Sequence, residues 1–115
     1  MTIAKTTTIF DFQNEFMRLY PFLKIEFFRK PHYRGKASVS EDMIFNRTTL
    51  LGATDNFKQG GIFEFNSEKS IADVEQKLQD QFGLSTQIFC KIKGEWATTT
   101  KTNKLTLAAQ NAEGS

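Results

Sequence analysis

The run "SIADVEQKLQDQFGLSTQIFCKIKGEWATTT", residues 70–100, contains a helix, its stop signal and a hairpin, and its reading decides the fold class. Ser70 is a good N-cap, and Asp73 stands three residues on, at the capping-box position. Ile71, Val74, Leu78 and Phe82 recur at helical spacing and define a buried stripe. Gly83 falls where a left-handed C-cap is wanted, with Leu84 as its usual apolar companion. The period then changes to two. Ile88, Cys90 and Ile92 point one way and Gln87, Phe89 and Lys91 the other, until Gly94 turns the chain and Trp96 to Thr100 return. The length of that turn decides where Trp96 goes. A two-residue turn at Lys93-Gly94 puts it opposite Lys91, on the Phe89 side. A three-residue turn puts it opposite Ile92, towards the core.

Upstream, Thr8 and Asp11 approximate a capping box ahead of a stripe of Ile9, Phe12, Phe16 and Leu19, and Pro21 stops that helix near Tyr20. "FLKIEFFRK" (22–30) alternates Leu23, Ile25 and Phe27 with Lys24, Glu26 and Phe28, the pattern of a half-buried strand. Residues 31–48 show no period and read as a long loop with a short extended piece at Met43–Phe45. Thr48 or Thr49 caps a short helix whose Leu50, Ala53 and Phe57 share a face, and Gly60-Gly61 ends it. "GIFEFNS" (61–67) reads as a strand with Phe63 and Phe65 on one side. Residues 105–115 read as a weakly ordered tail. No internal repeat or low-complexity tract stands out.

The element order predicts one α+β domain spanning 1–115. Its expected architecture is a single four-stranded antiparallel sheet with two main helices on one face. The order matches a ferredoxin-like fold whose first strand has moved to the C-terminus. The strand carrying Phe28 would then lie at one edge and the strand carrying Phe89 at the other. The helix stripes, with Ile25, Phe27, Phe63, Phe65, Ile88 and Ile92, form the expected core.

The stretch "FGLSTQIFCKIKGEWATTTK", followed by "LTLAAQN" and a Gly near the end, resembles a family of short hypothetical bacterial proteins of unknown function. "YPFLKIEFF" and "TTLLG" add to the likeness, which covers nearly the whole chain after the first few residues. The hairpin turn is a residue shorter here than in that family, which leaves its register open. The resemblance implies a free-standing bacterial protein and carries no activity, ligand or catalytic residue with it.

Composition narrows the function classes. The net charge is only +2, too balanced for a dedicated electrostatic binder of long nucleic acid. The charge is uneven, however. Arg29, Lys30, Arg34 and Lys36 are four of the 15 bases, and without them 11 bases face 13 acids. One Cys and one His make neither an internal disulfide nor a structural zinc site, so no metal or cofactor is expected. The start of the chain lacks a signal-peptide pattern and no run approaches a membrane span, which points to a cytoplasmic protein.

Cys90 lies mid-strand on the apolar register, where a Cys is usually inert packing. His32 is the only candidate base, and it is flanked by bases of its own charge type. The acids Asp73, Glu75 and Asp80 read as the outer face of a surface helix, and no catalytic constellation emerges. Two surfaces remain. Phe28 and Phe89 fall on the polar registers of their strands and, with Trp96, form a candidate interface for self-association or a protein partner. The basic run Arg29, Lys30, His32, Tyr33, Arg34 and Lys36 is the alternative. Its charges suit phosphates and its Tyr suits base stacking, so it is a candidate nucleic-acid or anionic-ligand site. The expected function is a non-enzymatic interaction protein, with nucleic-acid binding second.

Overall fold

The computed structural model describes residues 1–29, 43–53, 57 and 60–115. Two longer helices follow from the local signals. Helix α1 (Ile9–Leu19) starts at a full capping box, with the Asp11 amide donating to Thr8 Oγ1 and the Thr8 amide donating to Asp11 Oδ2. Helix α2 (Ile71–Phe82) is capped by Ser70, whose oxygen accepts from the Asp73 amide, and it ends on Gly83 at φ 72°. That left-handed conformation is one a Cβ would strain.

The first turn of a helix leaves amides that its own backbone cannot satisfy. Neighbouring extended segments take them here. Ile9 and Phe10 donate to the carbonyls of Thr48 and Asn46, and Ile71 and Ala72 to those of Leu105 and Asn103. The second arrangement builds a third helix, α3 (Leu107–Ala112), capped by Thr106. Its first amides, Leu107 and Ala108, donate back to Lys69 and Ser67. Residues 105–115, read as a weak tail, are thereby tied to the start of α2, and Leu107 is fully buried.

The expected single four-stranded sheet is replaced by two antiparallel sheets, and the permuted ferredoxin-like order is not formed. Strands β2 (Leu23–Phe28), β4 (Ser85–Ile92) and β5 (Glu95–Thr98) make one, with β4 in the centre. Strand β1 (Thr2–Ile3) and strand β3 (Gly61–Ile62) make the other. The "GIFEF" run is strand only at its first two residues. Beyond them Phe63 donates to the Met1 carbonyl, and its ring, with that of Phe65, packs on Phe12 at centroid distances of 6.1 and 5.2 Å. A spacing of two suits an extended segment packing rings onto a helix as well as it suits a sheet strand. The strand order is also corrected. The strands of Phe28 and Phe89 are neighbours, paired so that Lys24 faces Phe89 and Ile25 faces Ile88.

The core lies between the helices and the inner face of the larger sheet. Phe12 is its hub, touching Phe27, Phe63 and Phe65. Three expected core residues differ. Leu19 is 40 % exposed, because α1 ends there and Tyr20 turns into the core in its place. Ile92 is 37 % exposed at the tip of the hairpin, beyond the reach of the helices. Phe65 is partly buried.

Candidate functional site: the outer face of the sheet

The hairpin turn has Lys93 at φ 51° and Gly94 at φ 82°. Two consecutive left-handed residues are the mark of a type I′ turn, the two-residue loop whose twist matches that of its strands. Lys91 therefore faces Trp96 and Phe89 faces Thr98. Trp96 is on the outer face, which decides between the two turn lengths.

The outer face has two zones. Around Phe28, Ser85 and Gln87 it is closed, and Phe28 is only 2 % exposed. The expectation that Phe28 joins an exposed patch is therefore corrected. Pairing continues past it, through a bridge to Met43 and a bond from the Ile44 amide to the Phe27 carbonyl. Around Phe89 and Trp96 the face is open. Phe89 is half-buried, Trp96 is 36 % exposed, and all four residues of β5 are exposed. Lys24 projects from β2 between the two rings, its Nζ 5.1 Å from the Phe89 centroid and 5.0 Å from the Trp96 ring. Lys91 lies 5.9 Å from Trp96 on the same side. A cation over a ring face gains from the ring quadrupole, so these contacts hold the rings while leaving much of Trp96 in solvent. Lys24 was missed by the reading of aromatic residues alone. Its alternation on β2 places it on this face, but only the register brings it to Phe89.

Next to Lys24, Glu26 is half-buried. Burial holds its carboxyl above the usual range, and Lys24 and a hydrogen bond from Gln13 Nε2 at 3.2 Å partly oppose that. The folded state thus binds a proton more readily than the unfolded chain does. Stability attributable to this group is full below the unfolded carboxyl pKa, about 4.3, and is lost as pH rises through the higher folded value. Glu26→Gln should therefore raise the melting temperature at neutral pH and leave it nearly unchanged at pH below about 4. Thermal melts across that range check it, and equal shifts at both ends would refute the assignment.

Of the basic run, Arg29 is exposed at the end of β2. Lys30, His32, Tyr33, Arg34 and Lys36 lie outside the described residues. Glu75, read as part of a solvated helix face, is half-buried and accepts from the Ile88 amide at 2.8 Å, beyond the point where β5 stops. No local pattern announces that role, since it depends on where β5 ends. Cys90 is buried, its thiol donating to the Gln110 carbonyl at 3.4 Å. Among the described residues no cluster of His, Cys, Asp and Glu could hold a metal, and no helix is long and apolar enough to cross a membrane. An open groove of about 530 Å³ lies beyond Glu26, lined by Gln13, Met43, Ile44, Phe45 and Asn46. It presents a carboxylate and amides but no nucleophile beside a base. The outer face brings two rings and two lysine ammoniums together on one open surface. No family model, curated protein or solved structure matches the chain.

Proposed function

We propose that this is a non-enzymatic, cytoplasmic interaction protein that docks a protein partner, in the simplest case a second copy, on the outer face of β4 and β5. The observation that carries the reading is the open zone itself. Trp96 stands on a strand exposed along its whole length, beside Phe89 and under two lysines. Among the described residues β5 pairs on one side only, with β4, so its other edge is available to a partner strand. Trp and other aromatic residues are enriched at docking centres, whereas Lys is depleted at their cores, so the two lysines would lie at the rim of the contact.

Light scattering after size exclusion tests the second copy as partner. The wild type should form a dimer at about 100 µM, the concentration that reveals a weak self-association. Trp96→Glu should give a folded monomer, because a charge would be buried in the contact. A wild-type monomer at that concentration would remove the self-association reading. The concentration of bases at 29–36 supports the alternative of an anionic ligand. Tight, steeply salt-dependent binding of single-stranded RNA, lost when Arg34 and Lys36 are both changed to Ala, would move the assignment there.

A further inference from the structure

The two helix caps described above share one pattern of backbone bonds, although only α1 carries the full capping box. Thr8 bridges Thr49, and Ser70 bridges Thr106. In each case the first helical amide donates to the residue before the bridging Thr, and the second to an Asn two residues earlier still, Asn46 or Asn103. In each case the Leu after that Thr, Leu50 or Leu107, donates back to the residue before the helix cap and is fully buried. Each bridging Thr also accepts from the amide three residues on, Gly52 or Ala109, at 3.1 Å. The sequences follow suit. "NRTTL" (46–50) recurs as "NKLTL" (103–107), and "TIFD" (8–11) as "SIAD" (70–73). With Pro21-Phe22 set against the single Gly83, "LKIEFF" (23–28) lies over "LSTQIF" (84–89). Gln13 and Glu75 then correspond, and each satisfies a backbone group on the outer edge of its own strand, the Ile25 carbonyl or the Ile88 amide. This bonding pattern points to a repeat that residue identities alone do not display.

Two like units so arranged would meet across a pseudo-two-fold axis. An axis of that kind, passing through a pair of antiparallel strands, must set a residue opposite its own counterpart. In the larger sheet Glu26 faces Gln87, and these correspond in the alignment of the two strands. In the smaller sheet the register of β1 on β3 runs on to Met1 and Phe63, which bond through the Phe63 amide and stand 62 positions apart, as Thr8 and Ser70 do. Both sheets join one unit to the other, whereas each helix is capped within its own unit.

We propose that the chain is a fused pair of like units, and that the surface joining them is a self-complementary interface which a second copy of the chain enters by exchanging units. Such an exchange keeps the strand pairings of both sheets and the ring contacts of Phe12, because the first unit of one copy meets the second unit of the other in the same geometry. It does not use the outer face and is independent of the docking proposed there.

Leu23 and Cys90 face each other across the axis-spanning strands. They form a non-hydrogen-bonded pair, since the flanking Lys91 amide bonds towards the β2 side, to Phe22, while the Ile88 amide points away to Glu75. Such pairs have Cα atoms about 4.5 Å apart, close enough for a disulfide. The Leu23→Cys chain, refolded and oxidised at low micromolar concentration, should give a monomer bridged within itself. Refolded near millimolar concentration, it should also give a two-chain species on non-reducing gels, rising severalfold with concentration and containing both tags when two tagged preparations are mixed. Wild type refolded in the same way should show a dimer by light scattering that persists on dilution, disappears after unfolding and dilute refolding, and survives Trp96→Glu. An exclusively intrachain product together with a wild-type monomer at every refolding concentration would overturn the proposal. If Leu23→Cys does not fold, the wild-type scattering decides alone.

Discussion

Truncation of Phe12 to Ala should destabilise the protein by about 3–5 kcal/mol, whereas Leu19→Ala on the same helix should cost less than about 1 kcal/mol. Helical spacing puts both residues on the apolar stripe, so the periodicity does not separate them. The structure does. Phe12 is fully buried and touches Phe27 in an edge-to-face contact at 5.4 Å, with Phe63 and Phe65 on its other sides. These rings come from β2 and from the segment after β3, so the cavity left by truncation would open at the junction of the two sheets. Its walls are rings already packed within the core, which relax only partly around a void. Leu19 is the last helical residue and stands 40 % exposed. Denaturant melts of both variants check the difference. Comparable losses would mean that α1 is rotated from the face described.

The same contrast explains what the sequence made legible. Signals confined to one turn of chain were read correctly, because their physics is local. Thr8 with Asp11, Ser70 with Asp73, and Gly83 after Phe82 fix helix ends through bonds between residues a few positions apart. Features that depend on a distant partner were misread. Phe63 and Phe65 alternate as strand residues do, yet their partner is a helix. Phe28 sits on a polar register, yet it is buried, and pairing continues past it to Met43. The like bonding of the two caps was not legible because the stretches around them share few identical residues and differ in length between Tyr20 and Leu23. What they share is the pattern of caps and backbone bonds. On the outer face, Phe89 followed from its register, while Trp96 required the length of the turn and Lys24 the pairing of β2 with β4, which no local signal sets.

The chain after Thr106 is where the two readings diverge most. Leu107→Ala should cost about 2–5 kcal/mol if the structure is right, and almost nothing if 105–115 is a weak tail. A six-residue helix has no stability of its own, since nucleation costs more than so short a run of bonds returns. It is held from outside. Leu107 is fully buried within the core cluster, and its amide and that of Ala108 donate to Lys69 and Ser67, just ahead of the Ser70 cap. Further along, the thiol of Cys90 donates to Gln110, and Asn111 accepts from the Phe22 amide at 2.9 Å. Losing the Leu107 side chain would therefore weaken the start of α2 as well as α3, because the carbonyls of Leu105 and Asn103 satisfy the Ile71 and Ala72 amides. Thr106→Ala removes only the cap and should cost about 1 kcal/mol. Hydrogen exchange adds a local test. In Leu107→Ala the amides of Ile71 and Ala72 should lose protection along with those of α3, whereas a detached tail would leave them as protected as in the wild type. The equivalent substitution in the first unit, Leu50→Ala, should act in the same way on Ile9 and Phe10. Matched losses at the two sites would bear on the duplication independently of any dimer.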